Sequence, residues 1–141
     1  MRGLAQVGFL AMAGLWEIVS SDAAELTLIA NPSVTASVIS PEEARCVFLA
    51  IRTSLSDGSH VTPVLQKSGA THETFVRRYL GKSEAGLETY YRSLVFSGRA
   101  LMPVTLPSDA EVIRYVTRTK GAIGYVSSNA ALSGVKVLEI Q

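Results

Sequence analysis

The stretch Ser108–Val126, SDAEVIRYVTRTKGAIGYV, decides the fold class of this chain. It opens with a capping box, in which Ser108 is the helix N-cap and Glu111 follows three residues later. Val112 and Val116 then recur at helical spacing. A Lys-Gly pair ends the helix, and the apolar run AIGYV that follows predicts a buried strand. A capped helix leading directly into a buried strand is typical of an α/β domain.

A second well-defined helix start lies nearer the N-terminus. Ser40 is a natural N-cap, Pro41 suits the first helical position, and Glu43 completes a capping box. The apolar face of this helix is predicted to comprise Ala44, Val47, Phe48 and Ile51.

The other segments continue the alternation of strands and helices. Three more strands are predicted at Leu26–Ala30, at His60–Leu65 with Pro63 in an edge or strand-end position, and at Val135–Ile140. Two more helices are predicted, one containing Phe75, Val76, Tyr79 and Leu80 and ending at Gly81, the other opening at Ser83 and ending before Gly98. We therefore expect a small mixed sheet flanked by about four helices.

Length and composition fit one packed domain. The chain has 141 residues, of which 48% are hydrophobic and 18% are charged, so it can bury a core. Its 13 Lys and Arg residues are balanced by 12 Asp and Glu residues, and no basic face is apparent. We therefore expect no nucleic-acid partner.

The N-terminus has the layout of a secretory signal peptide. Arg2 precedes the mostly apolar stretch Gly3–Trp16, and small residues follow at the positions that a signal peptidase reads. Alternatives are a buried helix or a membrane anchor, but Glu17 ends the run short of the about 20 apolar residues that a span needs. The sequence thus predicts a signal peptide at residues 1–23, and at 24–141 an exported, periplasmic domain without a stable membrane span.

Patterns typical of catalytic, metal or cofactor sites are missing from the sequence. His72-Glu73 begins like a zinc-protease helix, but Val76 stands where the second histidine belongs. The single cysteine, Cys46, is predicted to be a small core residue, with pairing to another chain as the alternative. No nucleophile elbow or phosphate-binding Walker pattern occurs. We expect a protein that is not an enzyme and uses no metal or cofactor.

One loop has the composition of a ligand site. Ser68, Gly69, Ala70 and Thr71 form a small polar turn between a predicted strand and a predicted helix. Backbone N–H groups at a helix N-terminus are unpaired and can hold an anion, and the two hydroxyls could add hydrogen bonds. The alternative is that Ser68 or Thr71 only caps its own helix.

The chain resembles the periplasmic phosphate-binding proteins of ABC transporters, which have a type II periplasmic-binding-protein fold. The resemblance runs from about Leu26 to Leu138. It rests on the Ser40–Leu49 helix start, on Asp57–Ser59 followed by Val61–Val64, on Thr71–Phe75 with Tyr79-Leu80, and on Ala122–Val126. The last of these matches the "A-I-G-Y-V" strand of that family. The chain is similar to short, single-lobe members and corresponds to the second lobe only.

This resemblance implies that residues 68–71 correspond to the Ser-Gly-Thr phosphate loop. Counting back from Phe75, only Thr71 matches by identity, whereas a shift of one aligns Ser68 and Gly69. Lys67 lies in the region of the family's arginine, which has no counterpart.

Two functions are therefore expected. The first is a module that binds phosphate or a similar anion weakly through residues 68–71. The alternative is an accessory domain without a ligand, which binds a protein partner or forms a homodimer, with Leu101, Met102 and Pro103 as a candidate apolar surface.

Overall fold

The structure is a computed structural model that describes residues 25–141. The predicted signal peptide lies outside the described residues. Within the described range, no helix is long and apolar enough to cross a membrane.

Strands and helices alternate along the described chain, as the sequence predicts. The strands are β1 (Leu26–Ala30), β2 (Val38–Ile39), β3 (Thr62–Gln66), β4 (Val104–Leu106), β5 (Ala122–Ser127) and β6 (Lys136–Ile140). The helices are α1 (Pro41–Phe48), α2 (Ala70–Phe75), α3 (Glu84–Phe96) and α4 (Asp109–Arg118), and α2 continues directly into a π-helical turn at Val76–Leu80.

All six strands form one mixed sheet with the order β2-β6-β1-β5-β3-β4. β1 is antiparallel to both β5 and β6, whereas β3 is parallel to β5 and β4. Pro63 pairs with Ile123 of β5, and pairing with β4 begins only at Val64. Proline at this position therefore removes no hydrogen bond toward β4, which confirms the predicted strand-end position.

The sheet separates two hydrophobic clusters. The larger cluster lies against α1, α2 with its π-helical turn, and α3, and includes Phe48, Phe75 and Tyr125. The smaller cluster lies under α4 and includes Val112 and Val116. Helices on both faces of a mixed sheet confirm the predicted α/β class, with four helices around the sheet.

The helix starts predicted at Ser40 and Ser108 are correct, but one face assignment is wrong. Ser40 caps α1 through a complete capping box with Glu43, and Ser108 caps α4 by accepting the N–H of Glu111. Ile51, however, lies beyond the end of α1 and is 56% exposed. It does not continue the apolar face, because the chain leaves the helix after Phe48.

Candidate functional site

The predicted anion loop lies between the carboxyl end of β3 and the first turn of α2. Gly69 is the N-cap of α2, with φ 107° and ψ 172°, and no side chain caps the helix. Ser68, Gly69 and Ala70 are exposed, and Thr71 is half-buried. Neither Ser68 nor Thr71 caps this helix, so the prediction that one of them does is wrong.

Two charged side chains of opposite sign flank the loop. Lys67 precedes it, and its backbone N–H donates to the carbonyl of Leu106 on β4 at 2.8 Å, which fixes the start of the loop on the sheet. Glu73 lies in the first turn of α2 and is exposed. A carboxylate here competes with an external anion for the positive end of the helix, so the attraction for an anion is modest.

A buried hydrogen-bond network lies directly behind the loop. The Tyr125 hydroxyl on β5 accepts the backbone N–H of Gln66 at 2.9 Å and lies 2.5 Å from Nδ1 of His72. The Gln66 amide nitrogen donates to Oδ1 of Asp109 at 2.7 Å and to the Tyr125 carbonyl at 3.0 Å. The network joins β3, α2, β5 and α4, so it holds the base of the loop in place.

The hydrogen bonds determine the tautomer of His72. The Tyr125 oxygen already accepts from Gln66, and its own proton has one acceptor within reach, Nδ1 of His72. The neutral imidazole therefore carries its proton on Nε2. Burial lowers the pKa of His72, while Glu84 and Glu73 oppose this shift, and burial also raises the pKa of Tyr125.

A cavity of about 390 Å³ opens beside this network. It lies between α3 and the ends of β3 and β4 and is lined by Leu65, Gln66, Lys67, His72, Glu84, Leu87, Glu88, Tyr91, Met102, Pro103 and Thr105. Gln66 and His72 are buried polar residues, whereas Lys67 and Glu84 are exposed at the rim. The cavity therefore combines polar depth, a charged rim and apolar walls.

An exposed apolar surface adjoins this cavity. Leu101 is 88% exposed and Met102 is 58% exposed, while Pro103 is half-buried. These residues line a second cavity of about 420 Å³, which shares Tyr91, Met102 and Pro103 with the first. The structure thus places the predicted apolar loop, Leu101–Pro103, at the surface.

The structure also locates the other residues that the sequence singled out. Cys46 is a buried free thiol, and its sulfur lies 3.7 Å from Oε1 of Glu42. His72 and Glu73 belong to α2, as predicted, but His72 points to Tyr125. Among residues 25–141, no group of three or more His, Cys, Asp or Glu side chains could hold a metal ion.

Sequence reasoning missed the buried network entirely. Its side chains lie in three separate parts of the sequence. Gln66 and His72 are near each other, Asp109 is 43 positions from Gln66, and Tyr125 is 53 positions from His72. The one available signal was His72 itself, a polar residue among apolar helical positions.

The fold is shared with solved structures of other proteins. No protein-family model matches the sequence, and no curated protein sequence matches it. Among solved structures, a candidate phosphate ABC transporter substrate-binding protein from Clostridium perfringens, solved with bound phosphate, superposes with a TM-score of 0.62 at 12% identity. PstS from Borrelia burgdorferi superposes with a TM-score of 0.59 at 15% identity. An ABC-type phosphate transport receptor from Vibrio cholerae superposes with a TM-score of 0.52 at 14% identity.

The chain has the fold of one lobe of these phosphate-binding receptors. Each match covers 82% of this chain but only 44% to 47% of the other chain, so the chain spans less than half the length of these proteins. The single-lobe, periplasmic-binding-protein-like fold expected from the resemblance is thereby confirmed. The structural neighbours are transport substrate-binding proteins rather than enzymes.

Proposed function

We propose that this domain is a periplasmic solute-binding module that binds phosphate or a similar small anion weakly through Ser68, Gly69, Ala70 and Thr71. The observation that supports this proposal is the uncapped start of α2. Its first N–H groups have no side-chain acceptor, and the loop carries the hydroxyls of exposed Ser68 and half-buried Thr71. The structural neighbour from Clostridium perfringens, which contains this fold in 44% of its chain, was solved with bound phosphate.

Weak rather than tight binding is expected from the local charges. Lys67 brings one positive charge as a flexible ammonium group, and Glu73 brings an opposing negative charge in the first turn of α2. The loop is exposed, so water screens these charges and competes for the ligand. We expect a Kd of about 1 mM, which corresponds to roughly 4 kcal/mol.

Calorimetric titration of the chain with inorganic phosphate at low salt tests this proposal, with sulfate as a second anion. Thr71→Val removes the hydroxyl and keeps the shape, so it should weaken phosphate binding several-fold. Thr89→Val, at an exposed position within α3, is the matched control and should bind like the parent. Flat titrations, or equal affinities for the parent and Thr71→Val, would reject the anion site.

The exposed apolar surface favours a second candidate function, a protein-interaction domain. Leu101 is 88% exposed and Met102 is 58% exposed, and the two are adjacent in the chain. Apolar side chains clustered at a surface favour association with another protein or a second copy of the chain. Sedimentation over a range of protein concentrations tests self-association. If the chain forms a dimer through this surface, Leu101→Lys should shift it toward the monomer.

A further inference from the structure

Gln66 carries a polar atom that its own network leaves unused. Its amide nitrogen donates to Oδ1 of Asp109 and to the Tyr125 carbonyl. Both partners are acceptors, so the amide orientation is fixed and Oε1 must point elsewhere. Among residues 25–141, no donor reaches this oxygen. Yet Gln66 is only 5% exposed, and it lines the 390 Å³ cavity.

His72 presents the complementary group to the same cavity. Its Nδ1 is occupied by Tyr125, and its protonated Nε2 lies 3.8 Å from Oε1 of Glu84, too far for a hydrogen bond. His72 is 6% exposed. Every fully buried side-chain nitrogen and oxygen in the described residues has a partner. The unpaired Oε1 of Gln66 and Nε2 of His72 must therefore be accessible, and both residues line this cavity.

The rim of the cavity carries one cation and one anion without strong partners. In the described part of the chain, the side chain of Lys67 forms no salt bridge. The one ionic contact of the Glu84 carboxylate there is with His72, which is neutral. Glu88, one turn further along α3, is already paired with Arg92 at 2.8 Å. The walls between these charges are apolar and include Leu87 and Pro103.

We propose that this cavity is a second ligand site, which binds a zwitterionic α-amino acid with an apolar side chain. The ligand carboxylate meets Lys67 and the Nε2–H of His72, and the ligand ammonium meets Oε1 of Gln66 and the Glu84 carboxylate. The ligand side chain lies on Leu87 and the other apolar walls. The volume of 390 Å³ lies within the range of small-molecule pockets, about 300–1,000 Å³.

The same features disfavour inorganic phosphate in this cavity. A dianion would meet the carboxylates of Glu84 and Glu88 and the acceptor oxygen of Gln66. The amino-acid site shares Lys67 with the anion loop but uses none of residues 68–71. Substitutions at Thr71 therefore test the loop, and substitutions at Glu84 test the cavity.

Three probes that differ by one charged group test the proposal on the full chain by calorimetric titration. L-leucine is the zwitterion, L-leucinamide lacks the carboxylate, and N-acetyl-L-leucine lacks the ammonium. We expect L-leucine to bind at least about 10-fold more tightly than either analogue. The proposal is overturned if L-leucine shows no saturable binding up to about 10 mM, or if all three probes bind equally.

Exposed rim positions allow variants that keep the fold. Lys67→Met should weaken L-leucine binding about 10-fold and leave the affinity for L-leucinamide unchanged, because that probe has no carboxylate. Glu84→Gln should also weaken L-leucine binding about 10-fold, but it should leave the affinity for N-acetyl-L-leucine unchanged, because that probe has no ammonium group. Glu139→Gln, at an exposed carboxylate on β6 that does not line this cavity, is the matched control. If the control lowers the affinity as much as Glu84→Gln does, the assignment of the ammonium contact is wrong.

A direct readout comes from the buried pair. In nitrogen-15 NMR, L-leucine should shift the Nε2 resonance of His72, whereas its Nδ1 stays bonded to Tyr125. Thr71→Val should reduce phosphate binding and leave this shift intact. If Thr71→Val leaves phosphate binding unchanged, the loop is not the anion site. If L-leucine does not shift the Nε2 resonance of His72, the cavity is not the amino-acid site.

Discussion

Tyr125 on β5 and His72 in α2 are joined by a hydrogen bond, with 2.5 Å between the phenol oxygen and Nδ1. The same oxygen accepts the backbone N–H of Gln66, so one hydroxyl satisfies two buried groups. Tyr125→Phe removes this oxygen and should cost about 1–3 kcal/mol in the free energy of unfolding. Chemical denaturation measures this loss. Tyr115→Phe, at a half-buried position on α4, is the control and should change stability by less.

Burial of neutral His72 makes the stability depend on pH. Desolvation lowers its pKa in the folded state, and the carboxylates of Glu84 and Glu73 only partly offset this. As the pH falls below about 6.5, the unfolded chain binds a proton that the folded chain does not, so stability is lost. The free energy of unfolding should therefore fall on acidification until the lower, folded-state pKa is passed.

Two histidine variants isolate this effect. His72→Gln keeps an amide oxygen for Tyr125 to donate to and should remove the pH dependence just below about 6.5. His60→Gln, at an exposed position, should retain it. Hydrogen bonds lower the carboxyl pKa values of Glu43 and Asp57, so the stability linked to these groups is lost at more acidic pH. An unchanged profile in His72→Gln would show that other groups dominate.

The end of α1 predicts a stabilising substitution. Ala50 has φ 57°, and the N–H of Ile51 donates to the Cys46 carbonyl at 2.8 Å while the N–H of Ala50 donates to Val47 at 3.1 Å. This is a Schellman motif with alanine at the position where glycine is preferred. Ala50→Gly should therefore raise the free energy of unfolding by about 0.5–1 kcal/mol.

The control for Ala50→Gly is a second alanine-to-glycine substitution that should change the free energy of unfolding in the opposite direction. Ala110→Gly, at an exposed position inside α4, should destabilise the domain by about 1 kcal/mol because glycine disfavours helices. Thermal or chemical unfolding compares the two variants. If Ala50→Gly is also destabilising, the left-handed conformation at residue 50 carries no strain.

These residues also show where sequence reasoning succeeds and fails. Capping residues such as Ser40 act within three positions of the helix that they start, so the sequence displays them. Helical spacing predicts that Ile51 belongs to the apolar face of α1, because nothing in the sequence marks Ala50 as the end of a helix. β2 and β4 have two and three residues, and they are strands only because β6 and β3 pair with them.

The candidate sites divide in the same way. The anion loop is contiguous, and its glycine and hydroxyl residues can be recognised without a structure. The amino-acid cavity depends on the free atoms of Gln66 and His72, which become apparent only when Tyr125 and Asp109 have taken their other atoms. Such pairing is set by the tertiary structure.

The packing of α4 on β5 depends on the absence of a side chain at Gly124. A Cβ atom there would lie 2.9 Å from Cγ1 of Val112 and 3.7 Å from the carbonyl oxygen of Val64. Gly124→Ala should therefore cost about 1–3 kcal/mol through overpacking. Combining it with Val112→Ala makes room, so the double variant should be more stable than the sum of the single effects predicts, by at least about 0.5 kcal/mol. Simple additivity in denaturation experiments would contradict this contact.

The affinity of the anion loop depends on the backbone conformation of Gly69. Gly69 adopts φ 107° and ψ 172°, a region that only glycine enters easily, and a Cβ atom at this position would meet no other atom within 4 Å. Gly69→Ala should therefore cost about 1–3 kcal/mol through backbone strain alone. It should also weaken phosphate binding, because relieving the strain turns the first N–H groups of α2 away from the ligand.

Gly58→Ala is the matched control for this final experiment. Gly58 has φ 89° and equally open surroundings, but it lies in the turn before β3, away from the loop. Both variants should lose stability in denaturation experiments, and only Gly69→Ala should lose phosphate affinity in calorimetry. Equal phosphate affinities in the two variants would mean that the start of α2 does not hold the anion, and the exposed apolar surface would then become the leading candidate for function.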